Sequence, residues 1–196
     1  MNQPKRIFLI AAFCAVNFFS LANAFAQTPL PKRTPEPSFE GVLQTVVASN
    51  NTAEKSAVPQ MLSSIFKKLK SDFSFSEFRL VSTVMQRVSN NGSLEFKGVA
   101  YEANQDKNAP TFSEWSLSGL QNLFAEDGRE MIQVQNFKFG QRVPVKGIND
   151  SVSYEPIGLT SRFSLPKNTP TVVGSLTTSK PDELMFLVLT VKTTEK

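Results

Sequence analysis

Acid–base chemistry needs two carboxyls across a cleft, one with its pKa raised by burial, and Glu126, Asp127 and Glu130 come closest to such a cluster. They flank Gly128 in a turn signature, where carboxylates are solvated, so no catalytic pair is assigned to them. A Ser/Lys dyad needs a lysine desolvated enough to be neutral. Lys70-Ser71 and Ser179-Lys180 are only neighbours in sequence, and Ser179-Lys180-Pro181-Asp182 is composed like a turn. The 196-residue chain has no histidine and one cysteine, Cys14, in an N-terminal apolar stretch. Once that stretch is removed, Ser-His-Asp and Cys-His catalysis, Cys/His zinc sites, thiol redox chemistry and disulfides all lack a required side chain. Phosphate-binding loops, the dinucleotide fingerprint, zinc helices, EF-hand loops and nucleophile elbows have no match. The expectation is a non-enzymatic protein with no catalytic residue, cofactor or metal site. Tyr101, Trp115 and Tyr154 could form an aromatic shelf for a sugar or peptide, or serve as core anchors.

Lys5 and Arg6 precede an apolar run from Ile7 to Leu21, interrupted by Asn17 and Ser20, and two small-x-small triplets follow. This reads as a signal peptide cleaved after Ala24 or Ala26, because a run of roughly 15 residues is short of the ~20 that span a bilayer. No second long apolar segment follows, so no transmembrane helix is expected after its removal. The product would be periplasmic or secreted. Removal also takes two positive charges from a formal +4. The remaining cations are spread along the chain, with only Lys67, Lys68 and Lys70 clustered, which argues against nucleic acid. Gln27 to Ser38, with Pro29, Pro31, Pro35 and Pro37, is expected to be an extended, disordered linker. Residues 39–196 are then expected to form a single β-rich domain.

Phe39 to Ser49 is rich in Val and Thr and reads as a strand or a short helix. From about residue 59 to 70, Met61, Leu62, Ile65, Phe66 and Leu69 recur at helical spacing opposite Ser63, Ser64 and the three lysines, a core-facing amphipathic helix. The period then becomes two: Phe73, Phe75, Phe78, Leu80, Val84 and Val88 lead to the turn Asn90-Asn91-Gly92, and Leu94 to Tyr101 returns as a hairpin partner. After a polar loop, Glu102 to Pro110, come Phe112 to Leu120, Met131 to Phe139, Val152 to Phe163, Thr171 to Leu176 and Leu184 to Lys192. With about seven to nine strands and one clear helix, the fold class is α+β, mainly antiparallel.

From 137 to 192 four short patterns follow one another: Gly140-Gln141-Arg142-Val143-Pro144-Val145, Val152-Ser153-Tyr154-Glu155-Pro156-Ile157-Gly158-Leu159, Thr169-Pro170-Thr171-Val172-Val173-Gly174-Ser175-Leu176 and Phe186-Leu187-Val188-Leu189-Thr190-Val191. In this order they resemble the C-terminal β-domain of the secretins, the ring proteins of bacterial secretion systems and type IV pili. Gly140, Val143, Pro144, Tyr154, Gly158 and Gly174 carry the resemblance. It departs at Ser175, where the family has a second glycine, and at Val191, where it has a proline. Only about ten residues separate Leu159 from Pro170, where the secretins place gate and lip hairpins. The resemblance implies a related β-scaffold in the cell envelope, with too little chain for a pore.

The expected function is protein–protein contact or self-assembly in the envelope, by strand addition at an exposed edge. The last strand, with Leu187, is the candidate edge, although its continuous apolar run also reads as a central core strand. The alternative is a module binding a small ligand or carbohydrate at Trp115 or Tyr101.

Overall fold

The computed structural model describes residues 38–50, 59–89, 92–100, 109–147, 149, 151–178, 180 and 182–194. The expected signal peptide, Cys14, the linker up to residue 37, Asn90 and Asn91, Tyr101, Ser179 and most of the polar loop after Tyr101 lie outside these residues. The elements are β1 (Ser38–Ser49), a 3-10 turn (Gln60–Leu62), α1 (Ser63–Asp72), β2 (Glu77–Ser89), β3 (Ser93–Ala100), β4 (Thr111–Phe124), β5 (Glu130–Lys146), β6 (Val152–Pro166), β7 (Thr171–Thr177) and β8 (Glu183–Thr194). Among the described residues all strand pairing is antiparallel, in two sheets of order β2-β1-β8-β7 and β3-β4-β5-β6. The expected α+β class, dominated by antiparallel strands with one α-helix, is the one observed among the described residues.

Alternation assigns the faces. Phe39, Leu43 and Val47 of β1 and Met185, Leu187, Leu189 and Val191 of β8 point at the other sheet, where they meet Trp115, Leu117, Phe137 and Phe139. Their neighbours Val46, Ala48, Phe186 and Val188 point the other way and are covered by Leu62, Phe66 and Leu69 of the helical segment. Both faces of β1 and β8 are therefore dry along much of their length, which requires a nearly continuous apolar run. The helix follows from its stripe, and Lys70 in its last turn complements the carbonyl end of the dipole. It stops at Phe73, which turns extended while its N–H donates to the Leu69 carbonyl at 2.9 Å. Phe73 then lays its ring edgewise 5.0 Å from Phe186. Met61 departs from the expected stripe, being 59% exposed. It lies in the 3-10 turn, about 100–120° around the axis from Leu62, beyond the edge of the buried face.

Two further expectations are corrected. Gly92 N–H closes a turn on the Ser89 carbonyl at 2.9 Å, yet β2 and β3 do not pair. They belong to different sheets, and Val88 and Leu94 pack into one core between them. Alternating apolar residues fit both a flat hairpin and two strands stacked face to face; here burial between sheets is satisfied instead of a ladder. Second, a bulge at Val81, where Thr45 pairs with Ser82 but Val46 pairs with Leu80, switches the faces of β2. Phe78 and Leu80 therefore pack toward the helix, while Val84 and Val88 pack toward the second sheet.

Candidate functional site

The second sheet has one face in the sandwich and one in solvent. Across its four strands, Lys97, Glu114, Gly140 and Gly158 occupy one outward row. The flanking rows carry Glu95, Ser116, Lys138 and Thr160 on one side, and Val99, Phe112, Arg142 and Pro156 on the other. Because the central row has no side chain on β5 and β6, the surface sinks there, forming an open concavity of about 690 Å³. Gly140 and Gly158 face each other directly across the ladder. A Cβ on Gly158 would lie 2.5 Å from the Phe139 carbonyl oxygen, whereas one on Gly140 would meet only the Glu114 side chain at 3.4 Å. Only Gly158 is therefore required by close backbone approach.

The charges around this floor are paired loosely. Lys97 bridges Glu95 at 2.8 Å, and Lys138 approaches Glu114 at 3.8 Å. The Lys97 ammonium holds the Glu95 carboxyl below its ordinary pKa, mainly by hydrogen bonding, and Glu95 in turn raises that of Lys97. Arg142 lies over the Phe112 ring, 5.2 Å from its centroid, and Phe112 in turn contacts Tyr154 at 5.6 Å. The arrangement offers cations, two aromatic rings and a bare peptide floor, which suits binding.

The resemblance residues assemble around this corner. Gly140 opposes Gly158, Pro144 opposes Tyr154 and Val143 opposes Glu155 on the β5–β6 ribbon. Gly174 of β7 lies against Leu159, close enough that a Cβ would meet its side chain at 2.5 Å. Leu187 and Trp115, expected as contact residues, are 0% and 2% exposed. β8 is hydrogen-bonded to β1 along its length and to β7 from Leu184 to Leu189, so Leu187 lies on no edge, and the core-strand reading of its apolar run holds. Trp115 shares the inward parity of Leu117, and its indole N–H finds no partner among the described residues. It therefore cannot join Tyr154 in a shelf, since Tyr154 stands on the outward face.

The acid and Ser/Lys groups are engaged elsewhere. Asp127 accepts from the Arg129 backbone N–H at 3.1 Å and from its Nε at 2.6 Å, and these bonds hold its carboxyl below the ordinary value. Glu130 pairs with Lys167 at 2.6 Å. Ser71 donates to the Lys68 carbonyl, and Lys180 bridges Glu183. Among the described residues no three His, Cys, Asp or Glu side chains come together, and no helix is long and apolar enough to cross a membrane. Sequence reasoning missed Lys138, Arg142 and Arg162; their even spacing with Lys146 and Gly158 along two strands is the signal that marks them as outward neighbours.

No family model and no curated protein matches the chain. Solved structures similar in fold include the Salmonella SPI-1 type III secretion injectisome secretin InvG in the open gate state, at 11% identity and TM-score 0.40, with 93% of this chain and 66% of that one covered. The V. cholerae type IV competence pilus secretin PilQ is similar at 11% identity and TM-score 0.35, covering 82% and 59%. The Klebsiella pneumoniae type II secretion system outer membrane complex of PulD, PulS and the PulC HR domain is similar at 10% identity and TM-score 0.38, covering 91% and 43%. The chain thus spans 66%, 59% and 43% of these solved chains.

Proposed function

We propose that the chain is an exported, non-enzymatic protein of the cell envelope whose β-scaffold contacts itself or another envelope protein. The observation that supports this most is the assembly of the ordered late patterns at one corner, with Gly140 against Gly158, Pro144 against Tyr154 and Gly174 under Leu159. The signal-like N-terminus supports export. The contact surface is assigned to strand edges, which are β2 and β7 in one sheet and β3 and β6 in the other; an edge exposes backbone donors and acceptors that a second chain can pair. Crosslinking in the native envelope, followed by identification of the captured proteins, tests the reading. Recovery of secretion or pilus components, or of a second copy, is expected; recovery of none at normal expression would overturn it.

The concavity of about 690 Å³ favours one other reading, a small-ligand or carbohydrate module. Its site would be the outward face near Phe112 and Tyr154, with Trp115 excluded by burial. Native mass spectrometry of protein from its own host should then show a copurified small molecule.

A further inference from the structure

The outward positions of β5 and β6 carry Lys138, Arg142, Lys146 and Arg162 and no carboxylate. The nearest acid on this face, Glu114, stands on β4 and reaches Lys138 at 3.8 Å. This cationic half-sheet ends at the open edge of β6, and the bare floor opens onto that edge through Gly158. The prolines say which way the backbone faces. A proline cannot donate into a ladder, so the nitrogen of Pro156, opposite Arg142, points away from β5. Gly158 and Thr160 share its parity with no register shift between them, so their amides face the same open side.

A strand laid along that edge places one side chain beside Gly158 in the bare row. Its neighbours two positions either way fall in the rows of Lys138 and Arg142, about 10 Å from those strands' backbone and within reach of long cationic side chains. A large apolar side chain in the bare row covers the backbone at Gly158, where the nearest atoms are themselves backbone, as aromatic residues do for glycines on neighbouring strands. Carboxylates in the flanking rows complement the cations. We propose that the open edge of β6 receives an extended strand of an acidic protein partner, which seats a large apolar side chain on the Gly140–Gly158 floor and directs carboxylates toward Lys138 and Arg142. This rests on the contact reading above and names its edge and partner chemistry.

The test uses the full chain and the labelled peptide Thr-Glu-Thr-Phe-Thr-Glu-Thr, with a Lys-for-Glu peptide and polygalacturonate as comparisons. Fluorescence anisotropy should show binding of the acidic peptide that weakens about tenfold in a Lys138→Glu, Arg142→Glu double variant and on raising salt well above physiological strength. Amide hydrogen exchange at Gly158 and Thr160 should slow in the complex, and Thr160→Pro, which removes an edge amide, should weaken binding in protein that keeps its near-UV circular dichroism. Equal binding of the Lys peptide, unchanged exchange at both amides, or polygalacturonate binding tighter than the peptide would each overturn the proposal. Failure of the peptide while envelope crosslinking still captures a partner sinks this seat alone; capture of no partner sinks the contact reading itself.

Discussion

Strands β8 and β6 are both long and both near the resemblance corner, yet they live in opposite surroundings. β8 is bonded on both edges and covered on both faces, so every residue from Met185 to Val191 is buried. β6 is bonded only to β5, and its outward residues Tyr154, Pro156, Gly158, Thr160 and Arg162 are exposed. A continuous apolar run places a strand inside, because both faces must be dry; alternation leaves one face for solvent and therefore for recognition. The difference separates residues that hold the protein together from residues free to touch something else.

The largest effect should come from Leu187→Lys, which puts an unpaired charge into a site with no solvent access. The cost is several kcal/mol, enough to remove a domain's whole margin, so near-UV circular dichroism and a cooperative melt should both disappear. A variant that still melts cooperatively would place β8 outside the core. Next, Phe186→Ala empties the space between Phe73 and Phe78, whose rings lie 5.0 and 6.5 Å away, and should cost about 3–5 kcal/mol in urea denaturation. Tyr154→Ala, on the exposed ribbon, should stay within about 1 kcal/mol in the same assay.

A finer comparison lies within the glycine floor. Gly158→Ala drives a Cβ into the Phe139 carbonyl and should cost about 1–3 kcal/mol, while Gly140→Ala, with ordinary contact to Glu114, should shift stability by less than about 0.5 kcal/mol. Equal melting temperatures for the two would break the close-approach argument. The smallest effect is at the β4–β5 turn. The Asp127 carboxyl is depressed in the folded state, so its contribution is present above its ordinary pKa and is lost as pH falls through the lowered folded value. The Arg129 amide shift should therefore titrate with a midpoint below 3.8, the ordinary aspartate value; a midpoint at or above it removes the turn's charge-assisted bonds.

Much of the fold was legible because period-two and period-3.6 patterns map directly onto strands and helix. The helix stripe apart from Met61, the β4–β5 turn at Glu126-Asp127-Gly128 and the core-strand alternative for β8 read correctly, whereas β8 as a contact edge did not. What was hidden is what alternation cannot carry. It does not say whether Val88 and Leu94 meet side by side or across a sandwich, and Phe78, Leu80, Val84 and Val88 share a parity that the bulge at Val81 splits between two cores. The site was half visible. The glycines and prolines of the ribbon stood out, whereas Lys138, Arg142 and Arg162 became neighbours only once the register of β5 and β6 aligned them.

One pairing governs when such a fold can exist at all. Ser38 of β1 and Thr194 of β8, 156 positions apart, share hydrogen bonds, with the Thr194 hydroxyl donating to the Ser38 carbonyl at 3.0 Å. β1 occupies the middle of its sheet from the beginning of the described chain, and its second partner arrives last. Folding therefore leaves β1 with one side of its backbone unmatched until β8 reaches it, a pairing that spans almost the whole described domain. The sheet is thereby completed only when the two ends of the described chain meet.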